Sequence, residues 1–227
     1  MQKIAFIPTR KEFGQLEIVN YLNNAGWTTC VLCNKDSIFR AFKEAVQENN
    51  IKPNDYVIFC HDDIQILTDP EIFNELLSYE LDNPETGFVG VAGTQTLNQT
   101  GVWWDGLNRV PKAPLAGFVY HGKDIHTMTS TYYGTPGRVV AMDGLFLAAR
   151  GKVINTIQLG KPKFFEGEWD FYDVFYTVQT HLKSLKNKVL PISILHESYG
   201  ELAGRDSWHK NREAFIERFW EKLPLSL

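Results

Sequence analysis

Tyr56-Val-Ile-Phe-Cys60-His61-Asp62-Asp63 places an apolar run directly before an imidazole and two carboxylates. The run has strand length, and its unbroken apolar character marks a buried strand. A histidine and two aspartates at the end of such a strand add nothing to packing. They suit a divalent cation, because hard oxygens plus a nitrogen match Mg²⁺ or Mn²⁺. Such a cation would serve to hold a diphosphate.

Outward from this strand, the first ninety residues alternate strand and helix signals. Residues 3–7 form a short apolar strand, and 12–24 carry Phe13, Leu16, Ile18, Val19 and Leu22 on a helical period that Gly26 stops. A second strand covers 28–33, and Asp36 or Ser37 caps a helix through Glu48. The central strand follows at 55–60. Asp69-Pro70-Glu71 opens a helix to about Glu80 by the N-cap and N1-proline rule. Residues 87–93 give a fourth strand. Alternation of this kind implies an α/β fold with a mostly parallel twisted sheet, right-handed crossovers and helices on both faces.

The second part of the chain is less regular. Residues 94–137 are rich in Gly, Thr, Asn, Trp and Tyr with little periodicity, which signals a functional loop region or short strands. Residues 138–150 return to β character around Asp143-Gly144. An amphipathic helix follows at 171–185, then a strand from Lys188 to Leu195 that ends at His196, then a capped helix at 206–222. Without a repeat or linker, the chain reads as a single domain over 1–227, with a nucleotide-binding half (1–93) and an acceptor-side half (94–227).

Composition narrows the function. The chain has 227 residues, 44% apolar and 22% charged, an ordinary globular composition. A net charge of −4 argues against a general nucleic-acid partner. Apolar runs are strand-sized, so neither a transmembrane segment nor a secretory signal is expected, and the cytoplasm is the default location. Cys30, Cys33 and Cys60 fit a reducing compartment. Cys30 and Cys33 sit three apart in an extended stretch, where their sulfurs diverge.

Polar clusters follow the strand ends: Pro8-Thr9-Arg10, Asn34-Lys35-Asp36, His61-Asp62-Asp63, Asp143-Gly144 and His196-Glu197. Ligands of open α/β sheets bind at the carboxyl ends of strands, so these clusters are expected to share one pocket. Pro8, Thr9, Arg10, Asn34, Lys35, Asp62 and Gly144 are its nucleotide-sugar-binding candidates. A cation there neutralises the charge that develops on a departing diphosphate. An acceptor hydroxyl then needs a base, for which Asp173 and Asp170 are the candidates. Each competes with a helix-capping role, and a helix N-terminus lowers rather than raises a carboxylate pKa. Trp103-Trp104 and Tyr132-Tyr133 serve either as loop packing or as a platform for a sugar ring.

Five segments, in order, resemble family-2-like glycosyltransferases of the GT-A fold, in the branch with His-x-Asp in place of Asp-x-Asp. They are Val57-Ile-Phe-Cys-His-Asp-Asp-Ile64, Gly87-Phe-Val-Gly-Val-Ala-Gly93, Val140-Ala-Met-Asp-Gly144, Asp170-Phe-Tyr-Asp-Val174 and Leu195-His-Glu-Ser198. The resemblance implies Mn²⁺- or Mg²⁺-dependent transfer of a sugar from a nucleotide-diphosphate sugar to a glycan or other hydroxyl acceptor, with inversion. By it, Asp63, His196 and His61 hold the metal, Asp143 lies at the sugar and acceptor, and Asp173 is the base. Phe175 departs from the pattern, since many relatives have an acid there. The alternatives are a nucleotidyltransferase, which would use the same cation, and a catalytically silent carbohydrate-binding module.

Overall fold

The computed structural model describes residues 1–10, 16–108, 113–198 and 205–227. The first segment runs β1 (Lys3–Pro8), α1 (Glu17–Asn24), β2 (Thr28–Leu32), α2 (Ile38–Glu48), β3 (Tyr56–Cys60), β4 (Ile64–Ile66), α3 (Pro70–Leu81), β5 (Thr86–Gly90) and β6 (Ala92–Thr94). The expected start of the first helix, at 12–15, lies outside the described residues. Ser37 caps α2 by accepting from the Arg40 amide, and Asp69 caps α3 by accepting from Glu71 and Ile72.

The middle segment contains β7 (Thr96–Leu97), β8 (Leu115–His121), β9 (Thr129–Gly134), β10 (Arg138–Val139), β11 (Ala141–Met142), β12 (Phe146–Arg150) and the short α4 (Gly151–Ile154). The chain ends with α5 (Tyr172–His181), β13 (Lys186–Val189), β14 (Ile194–His196), α6 (Asp206–Phe219) and β15 (Leu225–Ser226). The irregular stretch after Thr94 thus holds an antiparallel hairpin, β8–β9. No helix among the described residues is long and apolar enough to cross a membrane.

A seven-stranded sheet has the order β10-β13-β5-β12-β3-β1-β2. It is mixed rather than mostly parallel. β2, β1 and β3 run parallel, as do β5 and β13, but β12 is antiparallel to both β3 and β5, and β10 to β13. Strand direction depends on pairing partners, which local apolar patterning does not encode. Helices cover both faces. Phe73 of α3 packs on Phe146, while Phe42 of α2 packs on Phe59, whose cross-strand partner is Leu147.

A second, six-stranded sheet runs β11-β6-β8-β14-β4, with β9 added on β8. Two expected single strands are each divided between the sheets. Residues 87–93 bend at Val91 into β5 and β6, and 188–196 break at Leu190-Pro191 into β13 and β14. Proline has no N–H for a ladder, so the break at 191 follows from its chemistry. Where the sheets diverge, Asn187 ties the pieces together. Its amide nitrogen donates to the carbonyls of Thr177 (2.7 Å) and Val140 (3.1 Å), and its oxygen accepts from the Phe88 amide (2.9 Å) and Thr180 Oγ1 (2.7 Å). Asn187→Ala strands these buried groups and is expected to cost on the order of 2–4 kcal/mol. Urea unfolding should show a lower midpoint with an unchanged slope.

Candidate active site

β3 delivers His61 to the sheet end, where its amide donates to the Leu145 carbonyl (3.0 Å). The chain turns at Asp62-Asp63 and enters β4, which pairs antiparallel with β14 so that Ile64 opposes His196. The Glu197 amide donates to the Asp63 carbonyl (2.9 Å) and closes the register. His61, Asp63 and His196 then each offer one ligand atom, all within 4.8 Å of one another. Asp63 Oδ1 lies 3.4 Å from His196 Nε2 and 3.8 Å from His61 Nδ1.

The charges in this cluster follow from its burial and pairing. Burial opposes ionisation of Asp63, but the hydrogen bond and charge of His196 outweigh it and hold the pKa down to about 2. Burial likewise opposes protonation of His196, and Asp63 reverses that, raising the His196 pKa. His61 is pushed down by burial and then by His196. The metal-free site thus sets the Asp63 carboxylate beside a His196 ring biased toward its protonated form and a His61 ring biased toward its neutral form. One carboxylate oxygen and two imidazole nitrogens open to a cavity fit a divalent ion, and this mixed set suits Mn²⁺ better than Mg²⁺. His196 has to shed its proton to serve as a ligand.

Asp173, in the first turn of α5, lines the same cavity. The helix is entered through Phe171 in the left-handed region (φ 68°), with no side-chain cap. Asp173 accepts from the amides of Gly144 (3.0 Å) and Val174 (2.8 Å), and Asp143 accepts from Leu145 (2.9 Å). Burial, and then the charge of Asp143, push the Asp173 pKa up to about 7. The helix terminus is thus overridden by desolvation. Asp170 does not cap α5. Its carboxylate accepts from Ser207 Oγ (2.7 Å) and lies 3.5 Å from the Arg205 guanidinium, and Asn211 donates to its carbonyl. It anchors the start of α6.

These groups line a cavity of about 650 Å³. Pro8, Thr9 and Arg10 line it together with His61, Asp62, Asp63 and His196 and with Asp143, Gly144, Asp170 and Asp173. Four of the strand-end clusters thus contribute. Asn34 and Lys35 do not line it: Asn34 turns the chain at φ 52°, and Lys35 pairs with Glu44 at 3.5 Å. Nor is this one rim of one sheet, since His196 belongs to the second sheet.

The cavity also holds residues that sequence reasoning passed over. Trp169 underlies the Arg10 guanidinium at 4.3 Å from the ring centroid. Trp208 of α6 lines the cavity beside Trp104, ring centroids 5.7 Å apart. Tyr172 joins His61 to Gly144 through its hydroxyl. The signal for it was its place between Asp170 and Asp173. Trp103 is buried against Trp104 and Tyr133, while Tyr132 is exposed, and neither Trp103 nor either tyrosine lines the cavity. Phe175 packs on Phe164, Phe165 and Tyr176, away from the cavity lining.

The raised Asp173 pKa has a stability consequence whose sign is fixed. A carboxylic acid with a folded pKa near 7 and an unfolded one near 4 binds more protons when folded across that interval. Its contribution is fully present below about pH 4 and is lost as pH rises through about 7. Asp173→Asn cannot ionise. Urea midpoints of the metal-free protein should fall between pH 5 and pH 8 by more in the unaltered chain than in this variant.

Residues 19–219 match the family described as glycosyltransferase like. No curated protein matches the chain in sequence. Two solved structures share its fold. The crystal structure of A197 from STIV is 14% identical, with a TM-score of 0.55 over 87% of this chain and 86% of that one. The crystal structure of GalNAc-T7 with UDP, GalNAc and Mn²⁺ is 11% identical, with a TM-score of 0.56 over 97% of this chain and 49% of that one. The chain thus spans about half the length of the latter protein, and at these identities the likeness is one of fold. With the family correspondence extending over most of its length, the chain belongs to the glycosyltransferase-like family.

Proposed function

We propose that this protein is a metal-dependent glycosyltransferase that moves a sugar from a nucleotide-diphosphate sugar to an acceptor hydroxyl, with inversion. One observation carries the reading: the cation-fitting trio and a carboxylate with a raised pKa face a common cavity. The family and the fold support it. His61, Asp63 and His196 would hold a Mn²⁺ or Mg²⁺ ion, which when bound would supply counter-charge to a departing diphosphate.

The protein's own groups account for the rest. Pro8 and Thr9 border the nucleotide end of the cavity, and Arg10, stiffened by Trp169, offers a guanidinium to phosphate oxygens. Asp62 and Gly144 border the donor, and Asp143 faces the sugar. Asp173 takes the acceptor proton as the hydroxyl oxygen attacks the anomeric carbon, on the face opposite the breaking glycosidic bond. Its pKa suits this, because a base works best near the operating pH. Asp170, bound to Ser207 and Arg205, is the weaker candidate. Trp104 and Trp208 give the wall apolar ring surface suited to a glycan acceptor. The Phe175 departure carries little weight against activity, since that position faces the aromatic core.

The test is incubation with Mn²⁺ and a panel of nucleotide sugars. Release of free sugar is expected; pyrophosphate would indicate a nucleotidyltransferase, and no turnover a binding module. Asp63→Ala should abolish cation-dependent donor binding in calorimetry, and unaltered binding would refute the metal role. Asp173→Asn should keep donor binding while transfer falls by about 10²-fold or more, the loss expected for a general base. Near-normal transfer would reassign the base.

A further inference from the structure

We propose that Tyr172 is a positioning residue for the cation site, fixing which nitrogen of His61 carries the proton and so leaving the other nitrogen bare for the metal. The inference rests on the cation reading of His61, Asp63 and His196.

The Tyr172 hydroxyl lies 2.8 Å from the Gly144 carbonyl oxygen and 2.9 Å from His61 Nε2. A hydroxyl has one proton, and a carbonyl can only accept. The proton therefore goes to Gly144, and the contact with His61 is a hydrogen bond only when Nε2 donates. A neutral imidazole protonated at Nε2 has a bare Nδ1. That nitrogen faces Asp63 Oδ1 at 3.8 Å, on the side of the ligand cluster.

Asp63 itself favours the wrong arrangement. Its carboxylate would accept a proton held on Nδ1, the atom the cation requires. Tyr172 opposes this from the far side of the ring, as an outer-shell partner orients a metal-bound histidine. The tyrosine is fixed in turn: its ring is buried between Phe42 (5.8 Å), Tyr176 (5.9 Å) and Phe39 (6.4 Å). Gly144 leaves room for the hydroxyl. A Cβ there would lie 2.2 Å from the Tyr172 oxygen and 2.9 Å from Asp173 Cβ. No other residue type permits this approach without displacing Tyr172.

The test combines imidazole-ring ¹H–¹⁵N NMR of the metal-free protein with Mn²⁺ titration by calorimetry. The His61 resonances are assigned by their loss in His61→Gln. The unaltered chain should show His61 protonated at Nε2. Tyr172→Phe keeps the ring and its packing. In it the proton should move toward Nδ1, and the Mn²⁺ Kd should rise about 10-fold or more, as on loss of an outer-shell partner. A folded Tyr172→Phe protein with unchanged Mn²⁺ affinity would overturn the inference while leaving the cation site standing. An Nδ1-protonated His61 in the unaltered chain would overturn it without any variant. Failure of the unaltered protein to bind Mn²⁺ would remove the cation reading, and this inference with it.

Discussion

The antiparallel pairing of β4 with β14 is the constraint on which the site depends. With Ile64 opposite His196 and the Glu197 amide on the Asp63 carbonyl, two residues far apart in the chain share one register. A slip by one position would turn the His196 side chain to the other face of the sheet. The register fixes the Asp63–His196 ion pair, and the ion pair fixes the charge of the site. His61 enters from the other sheet, at the end of β3, so the trio spans the seam between the two.

Gly144 links Asp173 to the cation cluster. Its amide holds Asp173 and its carbonyl holds Tyr172, which reaches His61. Burial opposes ionisation of both carboxylates, and their neighbours decide the outcome. At Asp63 the penalty is overcome by the hydrogen bond and charge of His196; at Asp173 it is reinforced by Asp143. One carboxylate stays ionised and suits a cation. The other sits near neutrality and suits proton transfer. The assignment of roles thus follows from environment rather than residue type.

Much of the scaffold was legible in residues 1–93, where each signal was local. The apolar run at 56–60, the Ser37 and Asp69 caps and the Gly26 stop all depend on neighbours within a few positions. Segments 87–93 and 188–196 misled because each is a single apolar stretch in sequence but is shared between two sheets. The hairpin at 115–134 was hidden by glycines, threonines and aromatics whose alternation is weak.

By itself the sequence determined the inventory: an α/β chain, acids and histidines at strand ends, and an acid pair, Asp170 and Asp173, around the start of α5. Tertiary structure alone decided which of them meet. It left Asn34 and Lys35 out of the cavity lining, tied Asp170 to α6, brought in Tyr172, Trp169 and Trp208, and reversed the strand at β12. The physical reason is that a strand end or helix turn is set by a few adjacent residues. Pairing partners, register and burial are instead set by contacts across the whole chain, and those contacts determine a carboxylate's charge and an imidazole's proton.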